Sequence, residues 1–366
     1  MSWPKVRLGD VCEVKAGRDY KDVESPDGKY PIYGTGGVMG MSREWRCPAG
    51  SVIVGRKGTL DNPMLINEPF WNIDTCFGVV PSGKLLPAYL WRFCQNFDFY
   101  SLVPASGRPS TTSDAVKAIN LPLPPLAEQK KIVEKVEKAL KRVDALKAQF
   151  ERMEKSAADY FKAALAETFA AVKGEKVSLE NLCELIVDCP HTTAPDEGVG
   201  YPLVRTPNIG FGRLVYENMH RVSKAVYDAR NARAVPRASD LVFAREAPAG
   251  NIAVLQNGEE VCLGQRTVLL RPKMDIVRPD FLAVVVLSPA SQKKLLGKSF
   301  GATVQHVNVK DIRRFEVIVP ALKCQDDVVC RVFAAKLKSE RMVAAARRGI
   351  EICGKMRKAI LAEAFQ

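Results

Sequence analysis

The sequence predicts an α/β (α+β) fold with two globular regions built on twisted sheets. Two long helices, packed against each other as an antiparallel coiled coil, are expected to separate these regions. The first observation behind this prediction is an internal repeat, and the second is a long segment of helical periodicity at the end of each repeat. The third is that short β-branched runs between Gly and Pro turns fill the remainder, as is typical of strands in a mixed domain.

The internal repeat appears when the chain is aligned with itself, a comparison that comes before any search for motifs. Residues 123–169 align without a gap on 319–365, a shift of 196 positions. Residues 6–14 align on 177–185 at a shift of 171, so the interior of the second repeat is longer by 25 residues. Two separate matches in the same order argue against chance. They predict one scaffold used twice about a pseudo-two-fold axis, with two different binding surfaces.

The ends that the two copies of the repeat share predict two helices. Pro124 and Pro125 end an extended run, because a residue before proline favours extended backbone. Neither Gly nor Pro occurs from Leu126 until Gly174, and apolar or small residues recur there in alternating steps of four and three, as in a coiled-coil seam. The predicted seam contains Ile132, Val136, Val143, Leu146, Phe150 and Met153 in the first helix and Val328, Val332, Met342 and Met356 in the second.

The second helix has the smaller seam residues, and Gly349 weakens it by about 1 kcal/mol relative to alanine. A stripe of large side chains and a stripe of small ones suit each other. We therefore predict antiparallel packing within the chain, with Phe150 and Met153 facing the region from Ser339 to Met342. The charged outer faces are interpreted as solvated.

These patterns divide the chain into four segments. The first globular region covers 1–126 and its helical spacer 127–172, while the second region covers 173–322 and its spacer 323–366. The sequence contains no apolar run of about 18 residues, so it predicts no membrane span. The start of the chain lacks the charged-then-apolar pattern of a secretion signal, so we expect a cytoplasmic protein.

Composition favours one class of partner and excludes one class of site. Among 366 residues there are 54 Lys or Arg and 41 Asp or Glu, and the formal net charge of +13 favours a polyanionic partner. The 10 cysteines include no C-x-x-C pair, and His191, His220 and His306 lie far apart in the sequence. Because structural zinc needs closely spaced ligands, no metal site is predicted. The cysteines are interpreted as reduced, small apolar residues.

Loops of the first region carry residues suited to nucleic acid. A strand leads into a glycine-rich turn that lacks the spacing of a nucleotide-binding loop, and a second strand leads into a basic loop. A hydroxyl-rich loop precedes the last strand. Arg and Lys bind phosphates, Arg can read guanine through two hydrogen bonds, and hydroxyls reach phosphates or base edges. The candidate DNA contacts here are Tyr33, Gly34, Thr35, Arg56, Lys57, Arg108, Ser110 and Thr111.

The second region offers a corresponding set, with an arginine again just past a buried strand. Each residue of either set has a plain alternative, namely a surface salt bridge or an ordinary turn, and no single one is specific. The candidate DNA contacts of the second region are Arg205, Asn208, Arg245, Gln265, Arg266, Thr303, Gln305 and His306.

Catalytic motifs do not accompany these loops. The sequence lacks the N/D-P-P-[YF] tetrapeptide of amino-methyltransferases and a helicase-type phosphate loop, and His306 has no placed partner as a base. A binding protein is therefore favoured over an enzyme. One alternative is a nuclease or modifying enzyme, which predicts turnover on DNA by the isolated chain. Another is a structural adaptor, which predicts no preference for DNA sequence.

Over essentially its whole length the chain resembles the specificity subunits of type I restriction–modification systems. The resemblance rests on the order of variable region, P-L-P-P-L-x-E-Q-x-x-I helix, variable region and second helix, with this motif at 122–132. The second copy keeps only Pro320, Leu322 and Gln325 of it. The Y-G-x-G-G turn, the R-K-G-T loop and the stretch 264–266 also resemble segments of such subunits.

The resemblance implies that each globular region is a target recognition domain that reads half of a bipartite, asymmetric site in double-stranded DNA. It implies that the helices set the distance between the halves and bind two methyltransferase subunits, which two restriction (translocase) subunits join for cleavage. It implies no cofactor for this chain, since S-adenosylmethionine, ATP and magnesium serve the partners in adenine methylation and cleavage. A prokaryotic, cytoplasmic role in host defence follows.

Overall fold

The computed structural model describes residues 3–104, 109–297 and 306–365. It divides into two compact units, Met1–Arg152 with Ala346–Gln366 and Met153–Ala345. Each unit therefore contains one globular region together with one end of each long helix. The four segments predicted from the sequence stay a prediction.

The first globular region contains nine strands and three short helices among the described residues, with a 3-10 turn at Phe99–Leu102. A long helix follows. In chain order the elements are β1 (Lys5–Arg7), α1 (Leu8–Val11), β2 (Cys12–Ala16), β3 (Tyr30–Gly34), β4 (Gly37–Ser42), β5 (Ser51–Gly55), β6 (Met64–Ile66), β7 (Trp71–Asn72), β8 (Cys76–Pro81), α2 (Pro87–Asn96), α3 (Ser113–Lys117), β9 (Asn120–Pro122) and α4 (Leu126–Ala170).

The second globular region has ten described strands, and its 3-10 turn lies at Thr206–Asn208. It also ends in a long helix. Its elements are β10 (Glu175–Ser178), α5 (Leu179–Leu182), β11 (Cys183–Asp188), β12 (Tyr201–Val204), β13 (Phe211–Gly212), β14 (His220–Val222), α6 (Lys224–Arg230), β15 (Leu241–Ala244), β16 (Ile252–Val254), β17 (Cys262–Leu263), β18 (Thr267–Pro272), α7 (Pro279–Val286), α8 (Pro289–Leu296), α9 (Val309–Arg314), β19 (Glu316–Val319) and α10 (Leu322–Ala364).

The two regions have the same sheet topology. The first contains a sheet of order β2-β8-β5-β6, a second of order β4-β3-β7 and the pair β1-β9. The other region contains β11-β18-β15-β16-β13, β14-β12-β17 and the pair β10-β19, so only β13 is added at one edge. In both, the strand pair β3-β7 or β12-β17 is parallel. The predicted repeat and the mixed fold class are confirmed.

Central strands explain the continuous apolar runs of the sequence. All residues of β5 and β15 are buried, because each strand has neighbours on both sides and is covered on both faces. The final helical turns also enter the cores. In the first unit, the Phe365 ring packs 5.2 Å from Tyr89 and 5.7 Å from Phe93, measured between ring centroids. In the second unit, Leu165 and Phe169 join the core at the equivalent positions of the repeat.

A buried glutamine fixes the start of each long helix. Gln129 accepts a hydrogen bond from the Leu86 amide (2.8 Å) and donates to the carbonyls of Lys84 (3.0 Å) and Pro124 (2.8 Å). Gln325 accepts from the Arg278 amide (2.8 Å) and donates to Ile276 (2.9 Å) and Pro320 (2.8 Å). Both side chains are fully buried and fully paired. This explains why the second copy of the motif keeps its proline and glutamine.

The helices run antiparallel within each unit, as predicted. In the first unit, Lys135 pairs with Glu363 (3.2 Å) and Asp144 with Arg357 (2.9 Å), so partner numbers fall as α4 proceeds. In the second unit, the Ser339 hydroxyl donates to the Ala157 carbonyl (2.7 Å).

The predicted register of the helix pair is wrong by about two turns. Phe150 packs on Gly349, where an added Cβ would lie 2.5 Å from the ring, rather than facing the region from Ser339 to Met342. The reason is steric, because the ring occupies the space that the missing glycine side chain leaves open. Periodicity identifies two matching stripes but does not fix how far one slides along the other.

Two predicted seam residues are on the surface. Leu146 is 42% exposed and Met356 is 41% exposed. Each lies ten residues after a buried residue, Val136 or Ala346, and at 3.6 residues per turn that places it about 80° around the helix from the buried face. Of the other predicted seam residues, four are buried and four are half-buried, respectively Val136, Val143, Val328 and Val332, and Ile132, Phe150, Met153 and Met342.

Eight of the 10 cysteines are buried, as expected for small apolar residues, whereas Cys324 and Cys330 are exposed. Burial raises the pKa of the Cys12, Cys76 and Cys183 thiols to about 12. Within the described ranges, no helix combines the length and apolar character needed to cross a bilayer.

Candidate nucleic-acid interface

In the first unit, the basic loop that follows β5 is held against the turn before β8. The amides of Arg56 and Lys57 both donate to the Thr75 carbonyl, at 2.9 and 3.1 Å. Gly58 has φ of +77° with open space around its Cβ position, so the tight turn itself, rather than crowding, favours glycine there. The strand and the turn together present the Lys57 side chain to solvent, where it pairs with Asp74 at 3.3 Å.

The hydroxyl-rich loop meets this basic loop. Gly58 donates its amide to the Pro109 carbonyl (3.0 Å), and the Thr111 amide donates to the Arg56 carbonyl (2.9 Å). Ser110 is exposed beside Lys57. Thr111, in contrast, is 5% exposed and its Oγ1 has no hydrogen-bond partner among the described residues, so the structure does not expose it for the predicted DNA contact.

The third predicted segment, at the end of β3, borders the same turn. The Ile73 amide donates to the Tyr33 carbonyl (3.1 Å), so β3 and the basic loop flank the stretch 73–75 from two sides. The Tyr33 ring packs edge-on against Phe70, and burial followed by the charge of Glu68 raises its pKa. Gly34 is buried beneath the side chains of Met39 and Ile73, so the structure does not expose it for the predicted contact. Thr35 is half-buried and accepts a hydrogen bond from Asn62 on its carbonyl.

The hairpin that follows β3 exposes two apolar side chains that sequence reasoning missed. Val38 is 58% exposed and Met39 is 53% exposed at its tip. Apolar side chains of this kind contact the thymine methyl group in a DNA groove. In the sequence, the available signal is a Gly-Gly turn followed directly by Val38 and Met39.

In the second unit, Arg245 is the counterpart of Arg56, yet it is buried. Its Nη1 donates to both carboxylate oxygens of Asp188 at 2.9 Å, and its Nε donates to the Val307 carbonyl at 3.1 Å. Its Nη2 lies 3.2 Å from Nε2 of His306. At 8% exposure the guanidinium is engaged inside the protein, so the structure does not expose it for the base contact predicted from the sequence.

Asn208 is also internal. It is 1% exposed, accepts the Arg205 amide on Oδ1 and donates Nδ2 to the carbonyls of Val215 and Glu217. These bonds close the 3-10 turn, which is a local structural use that asparagine favours. The structure therefore does not expose Asn208 for the DNA contact predicted from the sequence.

A shallow cavity of about 310 Å³ brings three predicted contacts together. Arg205, Gln265 and Arg266 line it, along with Thr193 and His220. The Arg205 side chain donates to the Asn218 carbonyl at 2.9 Å, and Gln265 donates to the Thr193 hydroxyl. Nε of Arg205 is buried and unpaired among the described residues, an orphan donor beside an open cavity.

Arg266 is the most exposed cation of this site. Its side chain is 53% exposed and pairs with Glu246 at 2.7 Å. Its φ of +63° is unusual for a residue other than glycine, and the backbone turn directs the chain from β17 into β18. An exposed pair of this kind is worth little in water, so a phosphate can replace the carboxylate.

Arg230 is a supporting residue that sequence reasoning missed. It is 8% exposed and donates to the carbonyls of Leu263 (2.7 Å), Thr192 (3.0 Å) and Pro190 (3.4 Å), which lie on both sides of the cavity. No sequence pattern distinguishes it from other helix arginines. It fixes the spacing of the two loops that form the cavity wall.

Three predicted contacts, Arg108, Thr303 and Gln305, lie outside the described residues. His306 is exposed and its Nε2 lies 3.2 Å from Oδ1 of Asn308, as well as near Arg245. In residues 3–104, 109–297 and 306–365, no group of three or more His, Cys, Asp or Glu side chains is arranged to hold a metal ion.

Comparison with known proteins places this geometry in a family. The chain is 25% identical over 417 aligned positions to the type I restriction enzyme EcoBI specificity subunit of Escherichia coli, covering 100% of this chain and 86% of that protein. It is 24% identical over 272 positions to the type I restriction enzyme EcoKI specificity subunit of Escherichia coli strain K12, covering 68% of this chain and 57% of that one.

Two solved structures share the fold. One, from a study of complex assembly and conformational transition of the type I R-M system, has a TM-score of 0.75 at 21% identity and covers 100% of this chain and 98% of its own. The other is the HsdS subunit from Thermoanaerobacter tengcongensis, with a TM-score of 0.65 at 21% identity, covering 100% and 96%. The family model described as the type I restriction modification DNA specificity domain matches residues 2–155 and 172–331. Because these two matches span most of the chain, it belongs to the type I restriction modification DNA specificity family and carries the family's domain twice.

Proposed function

We propose that this chain is the non-catalytic specificity subunit of a type I restriction–modification complex. It recognises a bipartite, asymmetric DNA site and directs adenine methylation and restriction by partner subunits. Each globular region acts as a target recognition domain for one half of the site.

The observation that carries this proposal is the pairing of one scaffold with two different loop sets. Both regions use the same strand order. The first presents Lys57 and Ser110 in loops beyond the end of its central strand β5, while the second presents Arg266 and Gln265 around a cavity. A shared scaffold delivers both loop sets to DNA in the same manner. Different side chains at the same edge then select different base sequences, which makes the site asymmetric.

The exposed cations of these loops suit phosphate contact. Lys57 and Arg266 are each paired with a carboxylate, at 3.3 and 2.7 Å, and as exposed cations both can contact a phosphate oxygen or the acceptors of a guanine. Phosphate contacts position the protein on the duplex, and neighbouring polar or apolar side chains then read base edges. Val38 and Met39 supply the apolar part in the first region.

The two long helices serve partners in this proposal. At about 1.5 Å per residue, the 45 residues of α4 extend for about 68 Å, enough surface for two methyltransferase subunits. Two restriction subunits join for cleavage in the prokaryotic cytoplasm. S-adenosylmethionine, ATP and magnesium are bound by these partners rather than by this chain.

The proposal is tested by producing the full chain with the adenine methyltransferase of its own system and mapping methylated adenines by sequencing. The expected motif has two constant blocks separated by unspecified bases. Lys57→Ala should relax or weaken one block and Arg266→Ala the other, each by about 1–3 kcal/mol of discrimination or binding. Lys117→Ala is the matched control, because Lys117 on α3 is an exposed lysine paired with a carboxylate, Asp114 at 3.4 Å, outside the candidate contacts and the long helices, and it should leave both blocks intact.

Other outcomes would favour the alternatives. Turnover on DNA by the isolated chain would indicate an enzyme with its own active site. Methylation or binding without any sequence preference would indicate an adaptor, and both substitutions acting on the same block would contradict the division of labour between the regions.

A further inference from the structure

Two arginine–aspartate pairs brace opposite ends of the strands in the five-stranded sheet of the second unit, Arg245–Asp188 through one guanidinium nitrogen and Arg271–Asp240 through two. Arg245, just past β15, donates two hydrogen bonds of 2.9 Å to the carboxylate of Asp188 at the end of β11. Arg271 on β18 grips Asp240, just before β15, with bonds of 2.8 and 2.7 Å. The strand register places Ala244 beside Thr267 and Leu241 beside Leu270, so the pairs lie at the two different ends of these strands.

Only the first of these pairs lies among the candidate DNA-contact loops. The Arg245 amide donates to the Arg266 carbonyl (2.8 Å), and the Val307 amide donates to the Arg245 carbonyl (2.9 Å). The side chain adds the bond from Nε to the Val307 carbonyl and the approach of Nη2 to His306. One residue thereby joins the segment of Arg266 to the segment of His306.

Asp188 extends this network to a third segment. Its Oδ2 lies 3.2 Å from Nε2 of His191, and its carbonyl accepts a bond from Arg233 (3.2 Å). The loop that begins there continues to Thr193, which bonds Gln265 across the cavity. The second pair instead holds Val235 and the Arg237 amide, at the far end of the sheet.

We propose that the Arg245–Asp188 pair is a positioning element that sets the DNA sequence preference of the second region without touching DNA. It fixes the segments that carry His191, Gln265, Arg266 and His306 in one mutual arrangement. The inference rests on the proposed function and deepens it. Arg245 and Asp188 would then affect DNA specificity through the residues they hold in place.

An arginine is needed at this position for a geometric reason. A guanidinium has five donors in a fixed plane and can satisfy Asp188, the Val307 carbonyl and His306 at the same time. Lysine keeps the charge and can keep the ion pair, but its ammonium group cannot span all three partners. Arg245→Lys therefore separates positioning from charge burial.

The test uses the full chain in complex with its methyltransferase subunits and a DNA library randomised in both half-sites. Arg245→Lys should lower the preference within the second half-site about tenfold, the size of one lost base contact, and leave the first half-site unchanged. Arg271→Lys is the matched control and should change neither half-site. Amide hydrogen exchange should rise around 264–267 and 306–308 only for Arg245→Lys.

Several outcomes would overturn the proposal. Unchanged preference with Arg245→Lys, or an equal loss with Arg271→Lys, would show that the pair only stabilises the fold. If Arg245→Lys does not fold, the double variant Asp188→Leu with Arg245→Met replaces the buried charges by apolar groups, a change that proteins often tolerate. It should fold and show the same tenfold loss; retained preference, or failure of both variants to fold, would count against positioning. A wild-type complex without any preference would instead contradict the proposed function.

Discussion

The two globular regions have the same strand order but use the arginine after the central strand differently. Arg56 is half-buried, lies over the Phe77 ring and donates one long bond of 3.4 Å to the Asp74 carbonyl. Arg245 is buried and joins three segments. The repeated scaffold therefore places an arginine after the same strand in both regions, whereas the neighbouring segments determine which groups its side chain contacts. Asp188 is the last residue of β11, whereas the corresponding strand β2 of the first region ends at Ala16, which has no carboxylate.

The largest expected difference between the regions is in stability. Arg245→Ala leaves Asp188 as a poorly compensated charge and should lower the free energy of unfolding of the second unit by about 3–5 kcal/mol. Arg56→Ala removes a half-exposed side chain with one weak bond and should cost about 1 kcal/mol or less in the first unit.

Urea unfolding followed by two signals distinguishes these effects. All four tryptophans lie in the first unit, so their fluorescence reports that unit, while far-UV circular dichroism reports the whole chain. For Arg245→Ala the dichroism transition should move to lower urea more than the fluorescence transition. Equal shifts for both arginine variants would contradict the difference assigned to these residues.

Where the scaffold is truly repeated, substitutions should have equal effects. Gln129→Ala and Gln325→Ala each remove three hydrogen bonds from a fully buried site and leave an amide and two carbonyls without their partner. Each should lower stability by about 2 kcal/mol, the usual penalty for unsatisfied buried groups. Fluorescence should detect the first and dichroism the second. Gln149→Ala, at an exposed position of α4, is the control and should have almost no effect on stability. If the losses of stability at the two buried sites differ by more than about 1 kcal/mol, the two glutamines do not have equivalent roles in the repeated scaffold.

Much of the fold was predictable because it depends on patterns that are periodic or repeated. Self-alignment shows the two copies, and helical periodicity predicts helical segments over 127–172 and 323–366, while the observed helices begin at Leu126 and Leu322. The register of the helix pair was not predictable in the same way. It depends on one ring, Phe150, entering the space above Gly349, and periodicity contains no information about such a fit.

The candidate site was less predictable, because a polar residue in a loop has the same letters whether it faces water or the interior. Lys57 and Arg266 are exposed, but Arg245 and Asn208 satisfy partners inside the protein. Asp188, the partner of Arg245, lies 57 residues away in the sequence, and only the assembled sheet brings the two together. The Val215 carbonyl lies only 7 residues after Asn208, but the letters of that short segment do not show that it accepts the bond. The sequence alone therefore does not separate a residue that reads DNA from one that supports the fold.

The smallest expected effect concerns the two glycines of α10, and it compares a packed position with an open one. An alanine Cβ at Gly349 would lie 2.5 Å from the Phe150 ring, whereas at Gly354 nothing lies within 4 Å. Alanine favours helix by up to about 1 kcal/mol at either position. Gly354→Ala should therefore raise the stability of the first unit by about 0.5–1 kcal/mol, read by tryptophan fluorescence during urea unfolding.

At Gly349 the same gain in helix propensity is opposed by overpacking, which typically costs about 1–3 kcal/mol. The net effect of Gly349→Ala should be a loss of about 1 kcal/mol. Combining it with Phe150→Leu should remove the clash, so the double variant should lose less than the two single losses added together. If the two losses of stability add exactly, the Phe150 ring moves aside without strain in the Gly349→Ala variant. The contact between this large residue and Gly349 would then not fix the register of the two helices.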